Sequence, residues 1–176
     1  MEDLKYPIGK YKEQPFSQSQ LKEWLLDIEV LPKALEYALV NLDAEQLEVP
    51  YRPDGWNSRQ VVHHVADSHM NAFIRFKLGL TENRPDIKPY DEAKWALLSD
   101  AQHVPINISN TLLFALHARW LEVLKNITDE EWLRTVYHTE YKKEMTLWYL
   151  LGMYAWHGKH HTAHINNLRE KMGWKK

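Results

Sequence analysis

The sequence predicts an all-α protein, namely an antiparallel four-helix bundle with short extra helices and a long connection between helices two and three. Apolar residues recur every three or four positions through four segments, which is the spacing of an amphipathic helix. Glycine is scarce, with 6 residues among 176, whereas turn-rich β folds usually contain more. The length suits a single domain over residues 1–176.

The four long helices have recognisable starts and ends. Before the first of them, residues 1–15 contain two prolines and a glycine and are expected to form an extended arm. Pro32 interrupts the apolar stripe of the first long helix, so a kink or a break is expected there. The last helix is expected to end near Met172, before Gly173. The expected N-terminal caps are Ser17 or Ser19, Asn57 with Gln60 in a capping box, Ser109 or Asn110, and Thr146.

Shorter elements are expected between the long helices. Residues 81–108 contain three prolines and form the long connection, with a short helix beginning near Asp91. A connection of this length is often functional, for instance as a lid or one wall of a site. Thr128 and Glu131 form a second capping box that opens a short helix. Residues 134–145 are expected to be irregular or to form a small hairpin.

Composition excludes several classes of protein. The absence of cysteine excludes disulfides, thiolate metal ligands and a cysteine nucleophile, and it fits a cytoplasmic location. The formal net charge of −2 argues against a nucleic-acid-binding protein. The N-terminal residues lack the apolar stretch of a signal peptide, and no apolar run approaches the roughly 20 residues of a membrane span. We therefore expect no nucleic-acid partner and no membrane association.

Histidine is abundant and clustered. Four of the 10 histidines lie in the segment HGKHHTAH, on the expected last helix. Several neutral imidazoles that converge on one point form a typical site for a divalent transition metal. Two histidines at positions i and i+4 stand one turn apart on one helix face and can share an ion. The segment contains two such pairs, His157 with His161 and His160 with His164.

Helical geometry ranks these two pairs. At about 100° per residue, His161 lies about 40° from His157, and both fall in the centre of the apolar face. His160 and His164 fall toward the edge of that face, where they would support the ligands, contact substrate or lie at the surface. His157 and His161 are therefore the predicted ligand pair.

A third ligand is expected from the second helix, where the segment HHVADSH contains three histidines. His69 lies inside the apolar face of that helix, His64 lies at its edge beside a polar seam, and His63 lies well outside it. Periodicity leaves His64 and His69 as equal candidates. His69 and His117 can equally be buried, hydrogen-bonded core residues, and a histidine-rich helix can be incidental.

Two patterns resemble the signatures of the DinB-like superfamily. They are GWNSRQVVHHVAD, with a tryptophan at a helix entrance, and YAWHGKHHTAHI, with a histidine pair on the last helix. The segments YPIG and PYDEAKW and the ending MGW are most similar to the YfiT-like branch, described as metal-dependent hydrolases. The resemblance covers nearly the whole chain and implies a four-helix bundle, often a homodimer. It implies one zinc or nickel ion per chain, held by His64, His157 and His161, and many members have Gln at the position of His164.

Three functions remain open on these grounds. A hydrolase would use an open three-histidine site to activate water against a small-molecule substrate, with His164 or His160 as the catalytic proton carrier. No HExxH glutamate accompanies the pair, which argues against a peptidase. A thiol S-transferase would bind the sulfur of a low-molecular-weight thiol such as bacillithiol, and Arg75 and Arg119 could bind its carboxylate. The third alternative is a non-catalytic metal-binding stress protein.

Overall fold

The backbone is mostly helical, as the sequence predicts. The computed structural model describes residues 2–175, and within them eight α-helices, one 3-10 turn and three short strands carry the fold. The helices are α1 (Glu2–Lys5), α2 (Gln18–Leu39), α3 (Ala44–Leu47), α4 (Ser58–Thr81), α5 (Glu92–Trp95), α6 (Ser99–His103), α7 (Ile106–Leu124) and α8 (Leu147–Met172), with the 3-10 turn at Glu131–Leu133.

The four long helices α2, α4, α7 and α8 form the bundle. Helix α2 packs mainly on α7 and α8, and α4 packs mainly on the same two helices. Helices α2 and α4 therefore lie diagonally opposite each other, so that α8 separates them on one side and α7 on the other. Their apolar faces enclose two clusters of buried side chains. The largest fully buried members of the first cluster are Trp120, Trp132, Tyr154 and Phe76, and the second contains Leu35, Val61, Val65 and Leu113.

A small sheet lies at one end of the bundle. Strands β2 (Thr135–His138) and β3 (Lys143–Thr146) form an antiparallel hairpin, which is one of the two alternatives predicted for this segment. Strand β1 (Asp86–Ile87) comes from the long connection and pairs in parallel with β2. The sequence did not predict β1, because two residues are too few to show the alternation of a strand.

Most of the expected helix caps are confirmed. The Ser17 side chain caps α2, and Asn57 and Gln60 form the predicted reciprocal capping box at the start of α4. Thr146 caps α8, which ends at Met172 before Gly173 in the left-handed conformation. These caps fix where α4 and α8 begin, and these two helices carry the clustered histidines.

The expected start of the third long helix is wrong, and the first long helix is not broken at Pro32. Helix α7 begins at Ile106, so neither Ser109 nor Asn110 caps it. Pro105 occupies the N-cap position instead, because a proline at a helix entrance lacks only an N–H that would have no intrahelical partner. Helix α2 continues through Pro32, so the break, one of the two outcomes expected there, does not occur.

The N-terminal arm is only partly extended, since residues 2–5 form helix α1. The arm lies against α8, where two indole N–H groups hold it. Trp156 Nε1 donates to the Gly9 carbonyl at 3.0 Å, and Trp148 Nε1 donates to the Gln14 carbonyl at 2.8 Å. This attachment brings Tyr6 beside the histidines of α8, with its ring centroid 6.0 Å from that of His160.

The 3-10 turn at Glu131–Leu133 opens with the predicted capping bonds. The Thr128 amide donates to the Glu131 carboxylate at 2.9 Å, and the Glu131 amide donates to Thr128 Oγ1 at 3.3 Å. Within residues 2–175, no helix combines the length and the apolar character needed to cross a bilayer.

Candidate metal centre

Three histidines from two helices converge between α4 and α8. His64 belongs to α4, and His157 and His161 stand one turn apart on α8. The Nε2 atoms of His64 and His157 are 3.1 Å apart, and one nitrogen from each of the three rings lies within 4.8 Å of the others. The structure therefore brings together the three residues that the sequence and the resemblance indicated.

The donor set fits a divalent transition metal. Imidazole nitrogen binds zinc at about 2.0–2.1 Å, so two nitrogens on one ion are at most about 4.2 Å apart. The 3.1 Å separation of the His64 and His157 Nε2 atoms meets this condition. The Nδ1 atom of His161 is buried and has no hydrogen-bond partner among the described residues. A metal ion would satisfy a buried ring nitrogen that has no other partner.

The surroundings keep these three imidazoles in the neutral form that binds metals. Burial, with the neighbouring His160, lowers the pKa of His64 to about 4. Burial is also the main cause that holds the pKa of His157 and of His161 well below the ordinary value. The indole ring of Trp56 covers His64, with ring centroids 4.6 Å apart. At neutral pH each ring therefore offers one lone pair.

His160 and His164 form a second buried pair beside the first. Their Nε2 atoms are 3.0 Å apart, and together with His161 they make another group of three ring nitrogens within 4.8 Å. Of the three roles expected for them, a position at the surface is wrong, since their exposed fractions are 7% and 3%. The ring of Trp156 stacks on His160 and that of Tyr51 on His164, at 4.5 and 3.8 Å between centroids. Helical periodicity within α8 could not show that these two rings are covered, because part of the cover, such as the Tyr51 ring, comes from other segments.

This second pair is also neutral near pH 7. Burial lowers the pKa of His160 to about 4. Burial, with the charges of His160 and Arg52, lowers the pKa of His164 to about 3. One of the two facing Nε2 atoms must then carry the proton of their hydrogen bond and the other must accept it. The two rings therefore share one proton between Nε2 atoms that are 3.0 Å apart.

The other histidines of α4 occupy different positions. His69 lies behind the convergence point, where its Nε2 atom is 3.3 Å from Nδ1 of His157. His63 was expected outside the apolar face, but it is buried and its two ring nitrogens bond to Ser109 Oγ and to the Val104 carbonyl. Val104 of the long connection and Ser109 of α7 are these partners, and periodicity within α4 could not reveal them.

Two cavities meet at His157. The larger, of about 620 Å³, is walled by residues 89–93 of the long connection, by the hairpin and by α8, and Arg75 lines it. The smaller, of about 280 Å³, is lined by His64, His161 and Trp56. Both volumes suit small molecules, and the larger lies within the usual range for ligand sites. The predicted role of the long connection as one wall of a site is therefore supported by its position.

Some lining residues were missed or misjudged from the sequence. Arg75 lines the larger cavity and donates to the Tyr154 hydroxyl at 2.8 Å. Arg119 lines neither cavity, and its guanidinium lies over the Phe73 ring at 5.4 Å. Tyr154 and Glu92 were not singled out, although the tyrosine follows the helical stripe of α8 and the glutamate follows the expected cap Asp91.

Comparison with known proteins places this arrangement in a family. The model of the DinB superfamily matches residues 27–165. The chain belongs to the DinB superfamily. The resemblance drawn from the two histidine patterns is therefore confirmed, as is the four-helix bundle that it implied.

Relatives and a solved structure agree over nearly the whole chain. A protein of Bacillus cereus strain ATCC 14579 is 48% identical over 99% of this chain and 100% of its own length. A protein of Bacillus anthracis strain CDC 684 is 47% identical over the same shares. Both carry the name "Putative metal-dependent hydrolase". The structure of YfiT from Bacillus subtilis, described as a "probable metal-dependent hydrolase with an unusual four-helix bundle topology", superposes with a TM-score of 0.96 at 46% identity, covering 98% of this chain and 99% of that one.

Proposed function

We propose that this protein is a metal-dependent hydrolase of small molecules, with one zinc or nickel ion held by His64, His157 and His161. The observation that carries the proposal is the convergence of three neutral imidazoles at the point where two cavities meet. A structural metal site is usually closed by four protein ligands, whereas a catalytic site leaves a position for water or substrate. The names of the relatives support the same reaction class.

In this proposal different parts of the site would bind the ion, exclude bulk water and receive the substrate. When bound, the ion would supply a Lewis acid that makes a water molecule acidic enough to lose a proton near pH 7. His64, His157 and His161 would hold the ion, and the Trp56 ring would limit access of bulk water to His64. The larger cavity, about 620 Å³, receives the substrate beside His157.

His160 and His164 are the candidates for the proton carrier. Their facing Nε2 atoms share one proton at 3.0 Å, and His164 also stacks on Tyr51 at the smaller cavity. A neutral imidazole can accept the proton that leaves water and return it to a leaving group. Because neither ring belongs to the proposed ligand set, their part in proton transfer can be separated from metal binding.

The test compares one protein preparation in three states. Protein stripped with a chelator is reloaded with Zn²⁺ or Ni²⁺ and assayed with a panel of p-nitrophenyl esters. Turnover should appear on reloading and be lost in His161→Ala, while His103→Ala, an exposed histidine outside the site, retains it. Equal turnover in the stripped and reloaded protein would contradict the proposal. Stoichiometric binding of metal with no turnover on any substrate would favour the non-catalytic alternative.

A thiol S-transferase is the second candidate, and one observation favours it. Arg75 lines the larger cavity, and no ion pair of this guanidinium with a carboxylate occurs among the described residues. It could therefore bind the carboxylate of a thiol cosubstrate such as bacillithiol. The loaded protein is incubated with an electrophile, with and without the thiol. Turnover that depends absolutely on the thiol would exclude the hydrolase and establish the transferase.

A further inference from the structure

A chain of hydrogen-bonded imidazoles runs from the proposed metal site into the bundle core. His157 Nδ1 lies 3.3 Å from His69 Nε2, and His69 Nδ1 lies 3.0 Å from His117 Nε2. His117 Nδ1 lies 2.6 Å from the main-chain carbonyl oxygen of Ile28 on α2. The chain thus links α8, α4, α7 and α2, and it ends on a backbone group that can only accept a hydrogen bond.

The carbonyl at the end of the chain is available because of Pro32. In an α-helix the carbonyl of residue 28 normally accepts from the N–H of residue 32, and proline has no N–H. α2 nevertheless continues through Pro32, so Ile28 is left without its intrahelical donor. His117 on α7 supplies the missing donor. The proline that looked like a helix breaker therefore exposes an acceptor at a defined point of the core.

This acceptor determines where each proton of the chain resides. Because the Ile28 carbonyl cannot donate, His117 must carry its proton on Nδ1, and a neutral ring with one proton then accepts at Nε2. His69 must accordingly donate from Nδ1 to His117 and accept at Nε2. The only group left to donate between His69 and His157 is Nδ1 of His157. His157 is then protonated on Nδ1, and its Nε2 atom bears the free lone pair.

We propose that His69 and His117, anchored on the carbonyl that Pro32 leaves free, are positioning residues that hold His157 in the ring form able to bind metal through Nε2. The Nε2 atom faces His64 Nε2 at 3.1 Å, so the lone pair lies at the convergence point. The opposite ring form of His157 would place a proton on that atom and block it as a ligand.

The packing around the chain of imidazoles supports a fixed rather than a fluctuating arrangement of their hydrogen bonds. His69 is 0% exposed and His117 is 2% exposed, so bulk water does not compete for their ring nitrogens. The indole ring of Trp120 meets both imidazoles edge to face, at 5.7 Å in each case, and Tyr154 meets His69 in the same way at 5.6 Å. Low exposure strengthens each hydrogen bond and makes an unpaired ring nitrogen costly.

The first experiment reads the ring forms directly in metal-free protein. Long-range ¹H–¹⁵N NMR correlations of the ¹⁵N-labelled protein distinguish Nδ1-protonated from Nε2-protonated histidines. His117, His69 and His157 should all be protonated on Nδ1. Protonation of His157 on Nε2 in this preparation would overturn the inference. The inference rests on the metal site of the proposed function but not on the reaction, and this measurement needs neither metal nor substrate.

The second experiment interrupts the chain of imidazoles at His117, two hydrogen bonds away from the proposed ligand His157. His117→Leu removes the acceptor of His69, whereas His117→Gln can place an amide oxygen where Nε2 lies and keep it. The affinity for Zn²⁺, measured by competition with a chromophoric chelator, should fall by about 10–100-fold in His117→Leu and by less than about threefold in His117→Gln. His63→Leu is the matched control, because it also removes a buried, hydrogen-bonded imidazole of the bundle.

The outcomes separate a positioning role from a loss of fold. Folded His117→Leu protein with unchanged Zn²⁺ affinity and an Nδ1-protonated His157 would contradict the inference, as would an equal loss of affinity in the His63→Leu control. If His117→Leu does not fold, the wild-type ring forms and the His117→Gln affinity still decide. Wild-type protein that binds no Zn²⁺ or Ni²⁺ would instead refute the proposed function, and the NMR result would stand independently of that failure.

Discussion

The Nε2 atoms of His64 and His157 lie 3.1 Å apart, although 93 residues separate them along the chain. The contact exists because α4 and α8 pack against each other along the bundle and both present histidines to that interface. Burial of both rings disfavours their charged forms, and two neutral rings that face each other share one proton. A divalent ion can replace that proton, which is the physical basis of the proposed site.

Removal of one ligand should remove the metal. Elemental analysis of the wild-type protein should show about one zinc or nickel ion per chain, and His157→Ala should reduce this to a small fraction, because two imidazoles rarely hold an ion against dilution. His103→Ala serves as the control, since that side chain is exposed on α6. Full occupancy in His157→Ala, or in the double variant with His161→Ala, would show that the ligand assignment is wrong.

Replacement of His164 by glutamine should separate proton transfer from metal binding. The amide keeps a polar group of similar reach beside His160, but it cannot accept and release a proton near pH 7. We expect unchanged metal content and a kcat on the best ester lower by about 10²-fold or more. An undiminished kcat in metal-loaded His164→Gln would exclude His164 as the proton carrier and leave His160.

The stability of the protein should depend on pH through His117. Burial lowers the folded-state pKa of His117 to about 4, whereas the ordinary pKa of histidine is 6.5. Between these values the unfolded chain binds a proton that the folded chain does not, so the contribution of His117 is complete above pH 6.5 and is lost as the pH falls toward 4. A shift of this size corresponds to about 3 kcal/mol.

Comparison with His117→Gln isolates this contribution, because glutamine does not titrate. Urea unfolding of both chelator-treated proteins at pH 7.5 and at pH 4.5 gives the two free energies of unfolding. Wild type should lose more stability than the variant between these pH values, by up to about 3 kcal/mol. Parallel losses in the two proteins would show that His117 titrates normally in the folded state.

Gly152 should be needed where α8 approaches α2. A Cβ atom at this position would lie 2.5 Å from Cη2 of Trp24 and 2.5 Å from the Tyr11 hydroxyl oxygen. The buried indole ring has little room to move, so Gly152→Ala should lower the free energy of unfolding by about 1–3 kcal/mol. Asn167→Ala, on the exposed side of α8, should change it by less than about 0.5 kcal/mol. Denaturant midpoints measure both, and stabilisation by Gly152→Ala would contradict the close approach.

Local signals accounted for much of the fold. Side-chain capping bonds depend on residues three apart in sequence, and Asn57 with Gln60 and Thr146 therefore marked the starts of α4 and α8 correctly. The start of α7 was predicted wrongly because Pro105 precedes that helix without a side-chain cap. Ser109 is of a residue type common at helix caps, but it lies inside the helix. The missing N–H of Pro32 did not break α2, since His117 from another helix donates to the carbonyl that the proline leaves free.

The sequence by itself determined that α8 carries two histidine pairs at one-turn spacing and that His157 and His161 share its apolar face, because helical period is a property of consecutive residues. Periodicity left His64 and His69 as equal candidates, and the resemblance indicated His64. Only the tertiary structure showed that the rotation of α4 against α8 brings His64 into one group with His157 and His161. It also placed His160 and His164 in the interior and joined His157 through His69 and His117 to Ile28. These relationships depend on distances between helices, which no pattern within a single helix contains.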